Sequence, residues 1–111
     1  MIKEWPAPMS DRRDEVRYQV TLEVLWQGSN GRSKGTISDM NRSGCYVLSG
    51  GTVREGEVVH LFVPAEDEKK VQFTGTVANH QEEIGFAVKF GKLSAEQGDL
   101  LDGLIMEHAE V

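Results

Sequence analysis

YQVTLEVLWQGSNGRS, residues 18–33, decides the fold. Tyr18, Val20, Leu22, Val24 and Trp26 alternate with Gln19, Thr21 and Glu23. This is the period-two signature of a strand with one face buried. Leu25 is the one misfit. Gly28-Ser29-Asn30-Gly31 follows, and Asn-Gly tolerates the positive φ angles of a tight hairpin turn, so the chain must reverse here. With Asn30-Gly31 as the two-residue loop, Ser29 faces Arg32. That register places Leu22 opposite Asp39, Val20 opposite Asn41 and Arg17 opposite Gly44.

Outward from this hairpin the same reasoning extends along the chain. A weaker strand over Ser33–Ser38 runs back, the turn-forming residues Asp39–Gly44 interrupt it, and Cys45–Leu48 resumes it. Turn material at Ser49–Gly51 and Arg54–Gly56 precedes a strand from Glu57 to Val63, which Pro64 ends. Val71, Phe73, Gly75 and Val77 alternate with polar residues, as do Ile84, Phe86, Val88 and Phe90, which predicts a hairpin with its loop at Asn79–Glu83. Ser94 and Gln97 form a capping box, and Leu100, Leu101, Leu104, Ile105 and His108 recur at spacings of three and four. The expected architecture is all-β with one terminal helix: a six-stranded antiparallel barrel whose open end the helix closes.

With 111 residues and 39% hydrophobic content, the chain has enough apolar surface for one core but not for two. Residues 1–11, with Pro6 and Pro8 and no periodicity, read as a flexible leader, and residues 12–111 as the domain. No apolar run reaches the roughly 20 residues of a bilayer span, and nothing near Met1 resembles a secretion signal, so a cytoplasmic location is expected. Cys45, the single cysteine, excludes an internal disulfide and multi-cysteine metal sites, and its expected place is the barrel wall. A formal net charge of −6 argues against DNA or RNA as partners, because such affinity rests on many cations releasing phosphate counterions. Aromatic residues make up only 7% of the chain, which leaves few platforms for stacking bases along a polynucleotide. An anionic ligand must therefore be small and held locally. His60, His80 and His108 are dispersed without metal-ligand spacing, and Ser43 and Cys45 have no histidine beside them in sequence, so the chain does not read as an enzyme.

Two short motifs carry the functional reading. Arg13-Asp14-Glu15-Val16-Arg17 places two arginines four residues apart just before the first strand, with Arg12 preceding them. Alone, such a pair arises by chance in roughly one of three or four chains of this length, and a solvated charge cluster explains it equally. Asp39-Met40-Asn41-Arg42-Ser43-Gly44, read alone, is a polar turn. The hairpin register brings both motifs to one end of the same hairpin. Their chemistry suits a cyclic dinucleotide with two phosphates and two guanines. Arginine offers a flat, permanently charged fork for phosphate or for a guanine O6/N7 edge, and it also stacks on bases. The Asp39 carboxylate can accept from a guanine N1/N2 edge, Asn41 can donate and accept, and Gly44 lets a ligand approach the backbone.

These residues resemble the PilZ domain family, whose hallmark is Arg-x-x-x-Arg followed by Asp-x-Ser-x-x-Gly; the resemblance spans nearly the whole chain. It implies a six-stranded barrel with a C-terminal helix that receives cyclic di-GMP between its N-terminal arm and the first strands, with no cofactor. Arg13 and Arg17 match the arginine positions, Asp39 and Gly44 the ends of the second motif, and Asn41 stands at the serine position. Arg12 resembles the preceding residue of members that take a stacked pair of ligand molecules. The resemblance further implies a receptor or adaptor whose arm orders on binding and which signals to a partner protein. Two other classes stand beside it: a PilZ-like protein-interaction module that has lost the nucleotide, and an RNA-binding barrel.

Overall fold

Alternation sets the barrel wall. In the computed structural model, which describes residues 16–64 and 70–109, six strands close into an antiparallel barrel. They are β1 (Tyr18–Gly28), β2 (Gly31–Asn41), β3 (Gly44–Leu48), β4 (Val58–Pro64), β5 (Lys70–Gln81) and β6 (Gly85–Phe90), followed by helix α1 (Ala95–His108). Around the barrel the order is β1-β2-β3-β6-β5-β4. Val20, Leu22, Val24 and Trp26 point into the core as the alternation predicts, whereas Tyr18 at the strand entrance is exposed. The Trp26 ring meets Phe86 edge-on at 4.9 Å, and its indole N–H donates to Ser49 Oγ at 3.0 Å, so the largest core side chain leaves no polar atom unpaired. Cys45 is fully buried in the wall, where burial pushes its thiol up, the Asp39 charge adds to the shift and the Arg17 charge opposes it.

The hairpin forms, but its register differs from the expected one by two residues. The loop is Ser29-Asn30, with Gly28 facing Gly31, so Leu22 pairs with Ile37 rather than Asp39. The reason is where positive φ falls. It lies at Gly31 (φ 112°), after the two turn residues, and at neither Ser29 nor Asn30, so the glycine relieves strain beside the loop instead of inside it. The Glu57 carboxylate fixes this arrangement by accepting from Ser29 N–H at 2.7 Å and Ser29 Oγ at 2.9 Å. A further irregularity between Gln19 and Leu22 then sets Gln19 against Asp39 and Tyr18 against Met40, so neither Val20–Asn41 nor Arg17–Gly44 is a pair.

Two other boundaries move. β2 does not stop at Ser38: it continues through Asn41, because Met40 buries its side chain completely and extends the core stripe. β5 runs on to Gln81, and the reversal uses Glu82–Ile84 with Glu83 at φ 66°, which leaves Ile84 exposed in the turn rather than inside β6. The helix begins as predicted. Ser94 Oγ accepts from Gln97 N–H and Gln97 Oε1 accepts from Ser94 N–H, both at 3.0 Å. Leu101 and Leu104 enter the core, while α1 lies against β1 and β2. Burying such side chains is worth about 2 kcal/mol each, enough to offset the two helix glycines.

Candidate functional site

Antiparallel order gathers the start of β1, the end of β2 and the start of β3 at one rim of the barrel, and Arg17, Asp39, Asn41 and Gly44 all lie there. Arg17 Nε donates to Asp39 Oδ1 at 2.9 Å, and Nη2 approaches the same oxygen at 2.7 Å. Both side chains are about one-quarter exposed, 27% and 29%, so the pair is partly desolvated yet open to a ligand. Both of these contacts fall on Oδ1. The two motifs are therefore joined directly, more closely than the expected register implied. Arg12 and Arg13, like the expected leader 1–11, lie outside the described residues.

Asn41 plays a part its sequence position did not reveal. It is the one buried polar residue, 4% exposed, among those described. Its Oδ1 accepts from Ser43 N–H at 2.8 Å and Gly44 N–H at 3.1 Å, an Asx turn that folds β2 into β3. Its Nδ2 donates to the Val16 carbonyl at 3.3 Å, tying down the segment that carries Arg17. A serine hydroxyl is too short to hold the turn and reach that carbonyl at once; asparagine does both.

Gly44 has a structural use in the barrel wall. A Cβ there would strike the Val88 carbonyl oxygen and sit 3.1 Å from the Val88 carbonyl carbon and 3.2 Å from Lys89 Cα. The backbone it lets approach is that of β6, the neighbouring strand.

Arg42, inside the second motif, escaped the sequence reading. Its guanidinium forks onto Asp102 of α1, Nη2 to Oδ2 at 2.7 Å and Nε to Oδ1 at 3.2 Å, and holds the Asp102 carboxyl below the usual carboxylate range. The same group fills the space beside Gly98, where a Cβ would lie 2.9 Å from Nη1. No local spacing announces a partner 60 residues away. Tyr46, directly across from Asp39, was also missed, although its place two residues beyond Gly44 on an alternating strand was a usable signal.

Among the described residues no group of three or more His, Cys, Asp or Glu side chains could hold a metal ion, and no helix is long and apolar enough to cross a membrane. Barrel and rim together define a small β-barrel module with a composite arginine–carboxylate site at one end. The chain belongs to the PilZ domain family, whose profile matches residues 11–107. Solved structures agree with the fold. The chain is similar to the PilZ domain of CeSA from a cellulose-synthesizing bacterium, with a TM-score of 0.64, 13% identity and coverage of 84% of this chain and 97% of that one. It is similar to the Bacillus subtilis inhibitor of motility, MotI/DgrA, with a TM-score of 0.63, 20% identity, and 83% and 49% covered. It is similar too to the Borreliella burgdorferi PlzA protein, solved in complex with c-di-GMP, with a TM-score of 0.61, 12% identity, and 89% and 38% covered. The chain thus spans less than half the length of the last two. No curated protein sequence matches it.

Proposed function

We propose that this chain is a cyclic di-GMP receptor whose arm, carrying Arg12, Arg13 and Arg17, orders on the barrel rim around the ligand and signals to a partner protein. The observation that carries the reading is the Arg17–Asp39 pair, 2.7 Å apart at a partly exposed rim. It sets a cation for phosphate or a guanine O6/N7 edge beside a carboxylate for the N1/N2 edge. On binding, Asp39 offers Oδ2, or exchanges Arg17 for the base, and the released fork turns to the phosphate. Arg12 and Arg13 add charge from the same arm, and Arg12 is the residue through which a stacked pair of ligands is held. Family membership and the c-di-GMP complex of a structural relative support the same ligand class.

A second reading, a protein-interaction module without nucleotide, draws on Asn41. Its hydrogen bonds brace the β2–β3 turn and the Val16 carbonyl, so this motif position has a structural use that needs no ligand. Titrating the full chain with cyclic di-GMP by calorimetry separates the two. Saturable binding with a stoichiometry of one or two nucleotides per chain supports the receptor. Absence of heat and of any competing signal supports the module.

A further inference from the structure

Tyr46 stands in a position that neither motif includes. β3 alternates, with Cys45 and Val47 fully buried, so Tyr46 between them faces outward. In the ladder it is directly opposite Asp39 on β2 and Ala87 on β6. The Tyr46 backbone is therefore one strand spacing, about 5 Å, from that of Asp39, whose carboxylate pairs with Arg17, and the Asp39 charge reaches the Tyr46 hydroxyl.

Two contacts fix that ring. Its hydroxyl donates to Gln81 Oε1 at 2.6 Å, and its edge occupies the space over Gly85, where a Cβ would lie 2.9 Å from Tyr46 Cε2. Across the strand stands the small side chain of Ala87, itself buried. Burial, and secondarily the charge of Asp39, raise the Tyr46 hydroxyl above its ordinary value, which keeps it a neutral donor to Gln81. A half-buried aromatic ring held at its tip and its edge loses little further rotamer freedom when a base lies on it. Every purine has a π-face for such a ring, and a carboxylate one strand away can accept from the edge of the same base.

We propose that Tyr46 is a further ligand-contact residue, the platform on which one guanine of the cyclic dinucleotide lies while Asp39 accepts from its edge. This rests on the receptor reading above and extends it to a residue outside both motifs. The test titrates the full chain and its Tyr46→Phe and Tyr46→Leu variants with cyclic di-GMP, and follows the Tyr46 ring resonances of the unmodified chain by NMR through the titration. Tyr46→Leu is expected to bind roughly 5- to 100-fold more weakly, the range of a lost base–aromatic stack, and Tyr46→Phe within about threefold of the parent. The Tyr46 ring resonances are expected to move upfield on saturation, a readout that does not depend on whether the leucine variant folds. If the parent binds, Tyr46→Leu binds equally well and the ring resonances stay in place, this inference falls while the receptor reading stands. A parent chain that does not bind at all overturns both.

Discussion

Gly44→Ala puts the structural reading of the second motif at risk. The added methyl would meet the Val88 carbonyl oxygen, with Val88 C at 3.1 Å and Lys89 Cα at 3.2 Å, all backbone atoms that cannot rotate aside. Relief requires β3 to draw back from β6, which loosens the Gly44–Lys89 pairing and the Phe90 N–H to Ser43 carbonyl bond of 2.8 Å. Overpacking of this kind costs about 1–3 kcal/mol, and two strand hydrogen bonds about 1 kcal/mol each. The chain takes whichever response is cheaper, so a loss of about 2–3 kcal/mol is expected. That is a large fraction of the roughly 5–15 kcal/mol that holds a domain of this size. Urea denaturation followed by circular dichroism measures it directly, and the thermal midpoint should fall by about 10 °C. Gly50→Ala is the control, because a Cβ there has no atom within 4 Å and no positive φ is required; it should be near neutral. A Gly44→Ala variant as stable as the parent would refute the strand-approach argument. If that variant also lost cyclic di-GMP, the glycine would be serving the ligand after all.

Asn41→Ala removes three hydrogen bonds and leaves the buried Gly44 N–H without its acceptor, so chemical denaturation should show a loss of about 2–3 kcal/mol. Asn41→Ser keeps a short acceptor for the turn and should lose only about 1 kcal/mol; equal stability of both variants to the parent would contradict the turn-and-arm assignment. Glu57 is held below its ordinary value chiefly by the Ser29 N–H, so its contribution is fully present above about pH 4.5 and is lost as pH falls through the lowered folded value. Stability measured from pH 6 down to about pH 3 should therefore fall more steeply in the parent than in Glu57→Gln; parallel curves would show that the turn does not depend on the charge.

The barrel was legible because its information is local and redundant. Val20, Leu22, Val24 and Trp26 declare one buried face, Phe86, Val88 and Phe90 another, and the Ser94–Gln97 box starts the helix on the predicted residue. Register was less legible, since several glycine-bearing loops fit the same run of turn residues; the choice was made by Gly31 taking the positive φ and by Glu57, 28 residues beyond Ser29. The error of two residues preserved which side chains face inward, so the site survived it. At the site, Arg17 and Asp39 were readable from residue chemistry, and they do meet. Asn41 and Gly44 were read as ligand contacts, polar and glycine residues suiting ligands and turns equally, and the fold gives each a structural use as well. That structural use lies in contacts with Val16, Ser43 and Val88, which only the folded chain displays. The Arg42–Asp102 pair had no sequence signal, because it joins a turn to a helix across the whole second half of the domain.

The central claim is that the guanidinium of Arg17 and the carboxylate of Asp39 hold one nucleotide between them. Calorimetric titration of cyclic di-GMP into the parent chain, Arg17→Ala and Asp39→Ala tests it, with urea midpoints taken on the same samples. Each variant should bind about 10- to 100-fold more weakly than the parent, the worth of one charge-assisted hydrogen bond or two. Their urea midpoints should shift little, because a partly exposed ion pair contributes no more than about 1 kcal/mol. Unchanged affinity in both folded variants would place the ligand elsewhere and contradict the account.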